Sequence, residues 1–377
     1  MSSIPTISSS MRASALTVMA TRSQDQQLVA DVASDLAGTS KDGFDKARDG
    51  KGAVVLPAYG WHPWFSHHIH DDTESSGTVV ELDQEAKAQH YRSVLTPSPD
   101  DAFIASLPTP TLLSSLLSST SAKLSTNPHA LIGEIGLDKA FRLPAAPSPD
   151  DPPADPSLTP GGRQGRLLSP YRVKPEHQRG ILEAQLRLAG KEGRAVSVHG
   201  VQAHGLLLET IAKCWKGHEK KVVSRRQQKL DAHNRDWSSD GTSDEDELPQ
   251  PRQKESDEKP FLKPEPKPYP PRICLHSFSA AEEVMRQWLN PAIPASIFFS
   301  FSIAVNASTD TARRKLEGVI REAPEDKILV ESDLHVAGEQ MDQALEDMYR
   351  FVCEVKGWEL EEGVKKIARN YEAFIFG

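Results

Sequence analysis

The chain has 377 residues, of which 38% are hydrophobic, so it is long enough to bury the core of one large domain or of two ordinary ones. Its formal net charge of −9 disfavours a stable DNA-binding module, but it leaves room for a local cationic groove and for an enzyme that touches DNA. The three widely spaced cysteines, and the lack of any run of about 18 apolar residues, predict an intracellular protein of the cytoplasm or nucleus without a membrane span.

Short apolar runs along the chain predict buried strands, and most of them are separated by segments of helical length. The seven runs cover residues 15–20, 53–59, 130–135, 195–199, 272–276, 297–301 and 328–332. Apolar residues at helical spacing lie between them, for example from Gln178 to Gly190 and again near the C-terminus. This alternation predicts one α/β domain over residues 1–377, a TIM-type barrel in which seven of the eight strands are visible.

Two segments break this pattern. Residues 142–175 are rich in proline, and residues 217–271 combine a basic stretch, an acidic stretch and a second run of prolines. Proline restricts the backbone, and few apolar residues in these segments could offset the entropy lost on ordering them. We therefore predict two disordered insertions at the surface of the barrel.

Metal-ligand residues stand at the ends of four predicted strands. Glu134 lies between Gly133 and Gly136 in the run from Leu131 to Asp138, and His199, His276 and Asp333 end three later runs. A single histidine at a strand end is more often a structural residue than a ligand. Carboxyl ends of barrel strands meet at one face, however, so an acid, two histidines and a second acid in this order favour a metallohydrolase.

The motifs that carry these residues resemble the TatD family of metal-dependent hydrolases, which are amidohydrolase-like barrels. The matching stretches are Gly60-Trp61-His62-Pro63, Gly133 to Asp138, His199, His276 to Ser279, Phe299 to Ser302, Val330 to Asp333 and Asn370 to Phe374. With its two long insertions, the chain looks most like the fungal branch described as interacting with a subunit of the anaphase-promoting complex.

The resemblance implies a reaction and a set of ligands. In this family a His-x-His pair on the first strand and the last-strand Asp hold one divalent ion (Mg, Mn or Zn), and a mid-barrel Glu bridges to a second ion held by two more histidines. By motif position, Glu134 would be the bridge, His199 and His276 the second-ion ligands, and Asp333 a ligand or general base. His62 would line the substrate pocket. The implied activity is phosphodiester hydrolysis of DNA.

The sequence departs from the family in one respect, because the His-x-His pair has no counterpart in it. The first visible strand is the one that the family places second, so we expect a barrel without its first strand and a hydrolase that binds about one ion. The segment His68-Ile69-His70-Asp71 spells the same pattern. It lies beyond the Gly-Trp-His-Pro turn among polar residues, and we interpret it as a solvated loop.

Three interpretations remain open from the sequence. The first is an impaired deoxyribonuclease. The second is a catalytically degenerate barrel that acts as a scaffold for a protein partner of a cell-cycle complex, docked through the insertions. The third is a complete enzyme whose start codon has been assigned too far downstream.

Overall fold

The structure is a computed structural model that describes residues 4–7, 10–36, 54–73, 82–146, 167–222, 265–307 and 309–377. Its main feature is one curled sheet of seven strands. In chain order these are β1 (Ala15–Met19), β2 (Val54–Tyr59), β3 (Leu131–Asp138), β4 (Val196–Val201), β5 (Arg272–Leu275), β6 (Ser296–Phe301) and β7 (Ile328–Val330). Each predicted strand is therefore confirmed, with ends that shift by up to three residues.

All seven strands are parallel, and each one pairs with its neighbours in chain order. Parallel neighbours need crossover connections, and helices in those connections cover one face of the sheet. This is the arrangement of a TIM-type barrel, as the sequence predicted. Within the described ranges no ladder joins β1 to β7, so the sheet has two open edges.

Eight helices of at least eleven residues accompany the sheet. They are α1 (Ser23–Asp35), α2 (Gln84–Val94), α3 (Leu113–Thr126), α4 (Pro175–Lys191), α5 (His204–Trp215), α6 (Asp310–Glu322), α7 (Glu339–Lys356) and α8 (Leu360–Phe376). Helix α4 shows why they form: Pro175 occupies the first turn, where no backbone donor is lost, and Ile181, Leu182 and Leu186 recur on one buried face. No helix in the described part of the chain is long and apolar enough to cross a membrane.

The strands bury side chains on both faces of the sheet, as parallel strands do. One face packs against the helices, with Ile132, Val196 and Ile273 among its fully buried residues. The inner face is filled by smaller groups and by the end of α8, where Phe374 packs against Phe298. Helix α8 thus covers the end of the sheet opposite to the strand carboxyl ends, and it leaves those ends open for a site.

Parts of both predicted insertions are described. Pro144 forms an isolated bridge with Leu168, and the short strand Arg172–Val173 pairs with Leu95–Thr96. The two ends of segment 142–175 therefore pack onto the protein, because apolar residues there, such as Val173, find buried partners. Residues 147–166 and 223–264, which are the interiors of the two predicted insertions, lie outside the described residues.

Candidate metal centre

The four predicted site residues converge at the carboxyl ends of the strands. Glu134 lies within β3, His199 within β4, His276 directly after β5 and Asp333 shortly after β7. The structure also brings His62 into this group, from the turn that follows β2. Parallel strands make this convergence possible, because their carboxyl ends share one edge of the sheet.

Glu134 is the centre of the group. Its Oε1 atom lies 2.9 Å from His199 Nδ1, 3.4 Å from His62 Nε2 and 3.5 Å from His276 Nε2. Burial alone would raise the pKa of Glu134, but the charge of His276 and contacts from His62 and His199 hold this pKa well below its usual value. The carboxylate is therefore ionised at neutral pH and can serve as a ligand.

His199 lies between two carboxylates. Its Nδ1 faces Glu134, and its Nε2 lies 3.2 Å from Asp138 Oδ2. Burial disfavours the charged ring, but the hydrogen bonds to Asp138 and Glu134 outweigh burial and raise the pKa of His199 to about 9. The ring must therefore lose a proton before the nitrogen that carries it can bind a metal ion through its lone pair.

His276 has similar surroundings. Its Nε2 lies 3.2 Å from Asp333 Oδ1, and its Nδ1 lies 2.8 Å from Glu331 Oε2. Burial lowers the pKa of His276, but the charges of Glu134, Glu331 and Asp333 raise it well above its usual value. Each of the two histidines thus has one nitrogen near Glu134 and the other near a further carboxylate. Carboxylates in such positions orient metal-binding histidines in proteins; the approach of Glu331 to His276 Nδ1 is close but lacks the geometry of a hydrogen bond.

His62 differs from the other two histidines in its tautomer. The backbone N–H of Trp64 donates to His62 Nδ1 at 3.2 Å, so the proton of the neutral ring is on Nε2, which faces Glu134. Burial lowers the pKa of His62 and favours this neutral form. His62, Glu134 and His199 offer atoms within 4.8 Å of one another, a spacing that a metal ion could use. A ring whose Nδ1 already accepts a hydrogen bond is nevertheless a poor ligand through Nε2, and the pocket-lining role of His62 stays a prediction.

Asp333 is the most open of the four predicted residues. Its side chain is 28% exposed, against 7% to 13% for His276, Glu134 and His199. Burial alone would raise the pKa of Asp333, but His276 and a hydrogen bond from Ser277 Oγ keep it lowered. Asp333 is thus an ionised carboxylate that both the site and the solvent can reach.

Sequence reasoning gave Asp138 no role, and the structure places it directly against the site. Asp138 is buried, and its carboxylate accepts hydrogen bonds from Trp64 Nε1 at 2.6 Å and from the backbone N–H groups of Ala140 and Phe141. A signal was present, because Asp138 follows Glu134 by four residues and even spacing on a strand puts two side chains on one face. Trp64, stacked on Phe141, has no such signal.

The backbone is strained where strands end at the site. Gln202, Ser277 and Asp333 are the non-glycine residues with positive φ in the described chain, and each follows a strand. Such conformations cost on the order of 1–3 kcal/mol each and tend to cluster at functional sites. At Gly136, a Cβ atom would lie 2.0 Å from the His199 carbonyl oxygen, so glycine is required where β3 meets β4.

The segment from His68 to Asp71 takes no part in this group, but it is not the solvated loop that we expected. Ile69 is fully buried and pairs with Thr111, and His70 Nδ1 lies 3.3 Å from Nδ1 of the buried His90. The expectation was wrong because the sequence contains no signal that α2 packs against these polar residues.

The donor types of the predicted set suit a divalent ion, whereas the group whose atoms lie within 4.8 Å of one another among the described residues is His62, Glu134 and His199. Glu134, His199 and His276 would provide a carboxylate oxygen and two imidazole nitrogens, which Mn²⁺ and Zn²⁺ accept readily. Three protein ligands that leave an open position are typical of a catalytic site rather than a structural one.

Comparisons with known proteins agree with this geometry. The family described as TatD related DNase matches residues 12–376. Cut9-interacting protein scn1 of Schizosaccharomyces pombe is 36% identical over 362 residues, which cover 96% of this chain and 91% of the relative. An uncharacterized deoxyribonuclease of Saccharomyces cerevisiae is 24% identical over 283 residues, covering 74% of this chain and 66% of the relative.

A solved structure shows the same fold. It is an uncharacterized amidohydrolase from Saccharomyces cerevisiae, which superposes with a TM-score of 0.50 at 13% identity and covers 96% of this chain and 88% of its own. The family match spans nearly the whole chain and the fission-yeast relative exceeds 30% identity, so the chain belongs to the TatD-related DNase family.

Proposed function

We propose that this chain is a divalent-metal-dependent phosphodiesterase that hydrolyses DNA and holds one ion firmly. The observation that carries the proposal is the contact of Glu134 Oε1 with His199 and His276, at 2.9 and 3.5 Å, at the open end of the sheet. The match to a DNase family and the likeness to an uncharacterized deoxyribonuclease support DNA as the substrate.

The number of ions follows from the ligands. Glu134, His199 and His276 would hold one ion, of Mg, Mn or Zn. Among the described residues, a second ion would find only Asp333 and a share of Glu134, too few to bind firmly. Because two-ion sites stabilise both the attacking and the leaving oxygen, we expect hydrolysis to be slower than in a complete two-ion site.

The protein's own residues would divide the chemistry between them. When bound, a divalent ion lowers the pKa of water and polarises a phosphoryl oxygen. Asp333, ionised and partly exposed, would accept the proton that the attacking water loses. His62 would donate its Nε2–H to Glu134, or to a phosphate oxygen that approaches it. Glu331 and Asp138 would keep the rings of His276 and His199 in place.

The test is metal analysis combined with hydrolysis of a DNA duplex, with and without a chelator. Glu134→Gln should lose both the bound ion and activity. Asp333→Asn should keep the ion and lose at least about a hundredfold in rate, in the range usual for a general base. Ala105→Asp, which alters an exposed residue of the short helix Asp101–Ser106, is the control. Full activity in the chelator, or in Glu134→Gln, would refute the proposal.

A second function is favoured by a separate observation, the 36% identity to a protein named for its interaction with Cut9. We propose that the predicted insertions, 142–175 and 217–271, dock a protein partner of a cell-cycle complex in the cytoplasm or nucleus. Deletion of residues 223–264 should then abolish capture of that partner while Glu134→Gln leaves capture intact. Capture that survives the deletion but is lost in Glu134→Gln would place partner binding at the metal centre.

A further inference from the structure

A large cleft extends from the metal centre along the open edges of the sheet. Its volume is about 1230 Å³, above the usual range of small-molecule pockets. All five residues of β1 line the cleft on one side, and Leu329 and Val330 of β7 line it on the other. Faces of α7 and α8 form its wall. The cleft therefore lies where a closed barrel would have a further strand.

The hydrogen bonds of β1 and β7 to their neighbouring strands show which of their residues direct N–H and C=O groups to the cleft. The Ser14 carbonyl accepts from Val54 N–H and Ala20 N–H donates to the Ala58 carbonyl, so even-numbered residues of this strand bond to β2. Along a strand successive residues direct their N–H and C=O groups to opposite sides. Ala15, Thr17 and Met19 therefore direct theirs away from β2, towards the cleft.

The same reasoning applies to β7. Glu331 N–H donates to the Phe301 carbonyl, so Glu331 and Leu329 bond to β6. Val330 directs its N–H and C=O away from β6, and it lines the cleft. The cleft thus has backbone donors and acceptors of parallel strands on both sides.

Apolar surface is concentrated in the cleft. Among the described residues, the six large hydrophobic side chains that are exposed include Leu28, Val305, Val336 and Val364, and all four of these line it. Their exposed fractions are 38% to 46%. An exposed apolar patch next to unpaired strand edges marks a binding surface, because water satisfies the backbone groups but not the side chains.

The charge of the cleft selects the occupant. Among the described residues, seven carboxylates line it, including Asp25, Asp342 and Glu346, and Arg12 is the one lysine or arginine. Arg22 and Arg350 pair with Asp25 and Glu346 from beside it. Such a surface repels the phosphates of a polynucleotide and attracts basic side chains.

We infer that the cleft binds an extended, basic and alternately apolar segment of a partner protein, as an additional parallel strand between β1 and β7. Because both edge strands run in the same direction, the C-terminal end of the segment would lie beside Glu134 and Asp333. A segment of about five to seven residues, at about 3.3 Å per residue, matches the five residues of β1. Main-chain hydrogen bonds would give affinity, and alternate side chains would give specificity. This inference does not depend on the proposed hydrolysis.

The probe is a capped nine-residue peptide of alternating valine and lysine, with fluorescence anisotropy for affinity and hydrogen exchange for the contact. We expect saturable binding, with slowed exchange of the amides of Ala15, Thr17, Met19 and Val330. A peptide of alternating valine and glutamate should bind at least tenfold more weakly. A chelator should leave peptide binding unchanged while it abolishes hydrolysis, which separates this result from failure of the hydrolase.

Matched substitutions locate the binding surface. Thr17→Pro removes an N–H that faces the cleft and not β2, and it should weaken binding at least tenfold. Thr17→Val keeps that N–H while losing the hydroxyl contact with Tyr371, and it should bind normally. If Thr17→Pro unfolds the protein, Val364→Asp in the cleft and Ala105→Asp, at an exposed residue outside it, give the same comparison. Equal affinities for these last two variants, unchanged amide exchange, or displacement of the peptide by an oligonucleotide alone would overturn the inference.

Discussion

Replacing Asp138 by asparagine tests whether the outer carboxylates control the metal centre. In Asp138, Oδ1 accepts from the backbone N–H groups of Ala140 and Phe141, and Oδ2 accepts from Trp64 and His199. All four partners are donors. An asparagine has one oxygen and one NH₂ group, so in either orientation a donor would face donors.

The magnitude can be worked from His199. A rise in the pKa of His199 from 6.5 to about 9 corresponds to roughly 3 kcal/mol of net interaction with the charged ring, after burial has been overcome. Asp138 and Glu134 share this interaction, so the part that belongs to Asp138 is on the order of 1–2 kcal/mol. Loss of an outer-shell carboxylate typically costs about 10–100-fold in metal affinity, or about 1.4–2.7 kcal/mol, which includes this share.

The assay is calorimetric titration with Mn²⁺ or Zn²⁺, together with NMR titration of His199 in the metal-free protein. We expect Asp138→Asn to bind the ion 10–100-fold more weakly and to lower the pKa of His199. Asp100→Ala is the control. Asp100 caps the short helix Asp101–Ser106 and makes none of the contacts described for the site, and loss of this cap also costs about 1 kcal/mol of folding stability. Unchanged metal affinity in Asp138→Asn, with a loss of stability like that of the control, would show that Asp138 only supports the fold.

Two further predictions concern the neighbourhood of the site. Trp64→Phe keeps the stack on Phe141 but removes the donor to Asp138, so metal affinity should fall by about tenfold or less, measured by the same titration. A fall in the metal affinity of Trp64→Phe that equals or exceeds the fall in Asp138→Asn would contradict this prediction. Burial lowers the pKa of His68 and of His90 to about 4, so both rings are neutral in the fold and stability should decline as pH falls from about 6.5 towards 4. The decline is roughly 1.4 kcal/mol per pH unit for each histidine, and urea unfolding of His90→Gln should show a shallower decline than the natural chain.

The fold was predictable because each strand of a parallel sheet is buried on both faces and reads as a continuous apolar run. Residues 195–199, for example, predicted the strand observed at Val196–Val201. The predicted site residues could be placed together for a related reason, since a ligand at the end of each such run must lie at one edge of the sheet. Both arguments depend on local sequence and on one topological rule.

What could not be predicted depends on contacts between distant segments. Packing of His90 against His70 buries a segment whose own composition is polar, and no local pattern reports it. Trp64 reaches Asp138 across 74 residues, so its hydrogen bond is a product of the finished fold. Asp138 is the exception, because its even spacing from Glu134 was readable on the strand.

The charge of the cleft limits how DNA can meet the site. Of the described residues that line the cleft, seven are carboxylates and one is an arginine, and the raised pKa values of His199 and His276 add positive charge, so the cleft is negative at neutral pH before an ion binds. A divalent ion must displace the protons from both rings, so it adds two positive charges and removes two. Binding of one ion therefore leaves the net charge of the cleft, and the electrostatic potential that acts on DNA, nearly unchanged.

We accordingly expect DNA to bind weakly both with and without the ion, and the two affinities should differ by less than tenfold. Affinity should also depend little on salt, because few phosphates are neutralised by lysine or arginine. Anisotropy of a labelled duplex with Asp333→Asn, in metal-free and loaded forms, measures both quantities without hydrolysis. A large gain on loading would mean that His199 and His276 are neutral before the ion binds. Within these limits, short-range contacts at the strand ends, and not attraction from a distance, would have to hold a phosphodiester in place.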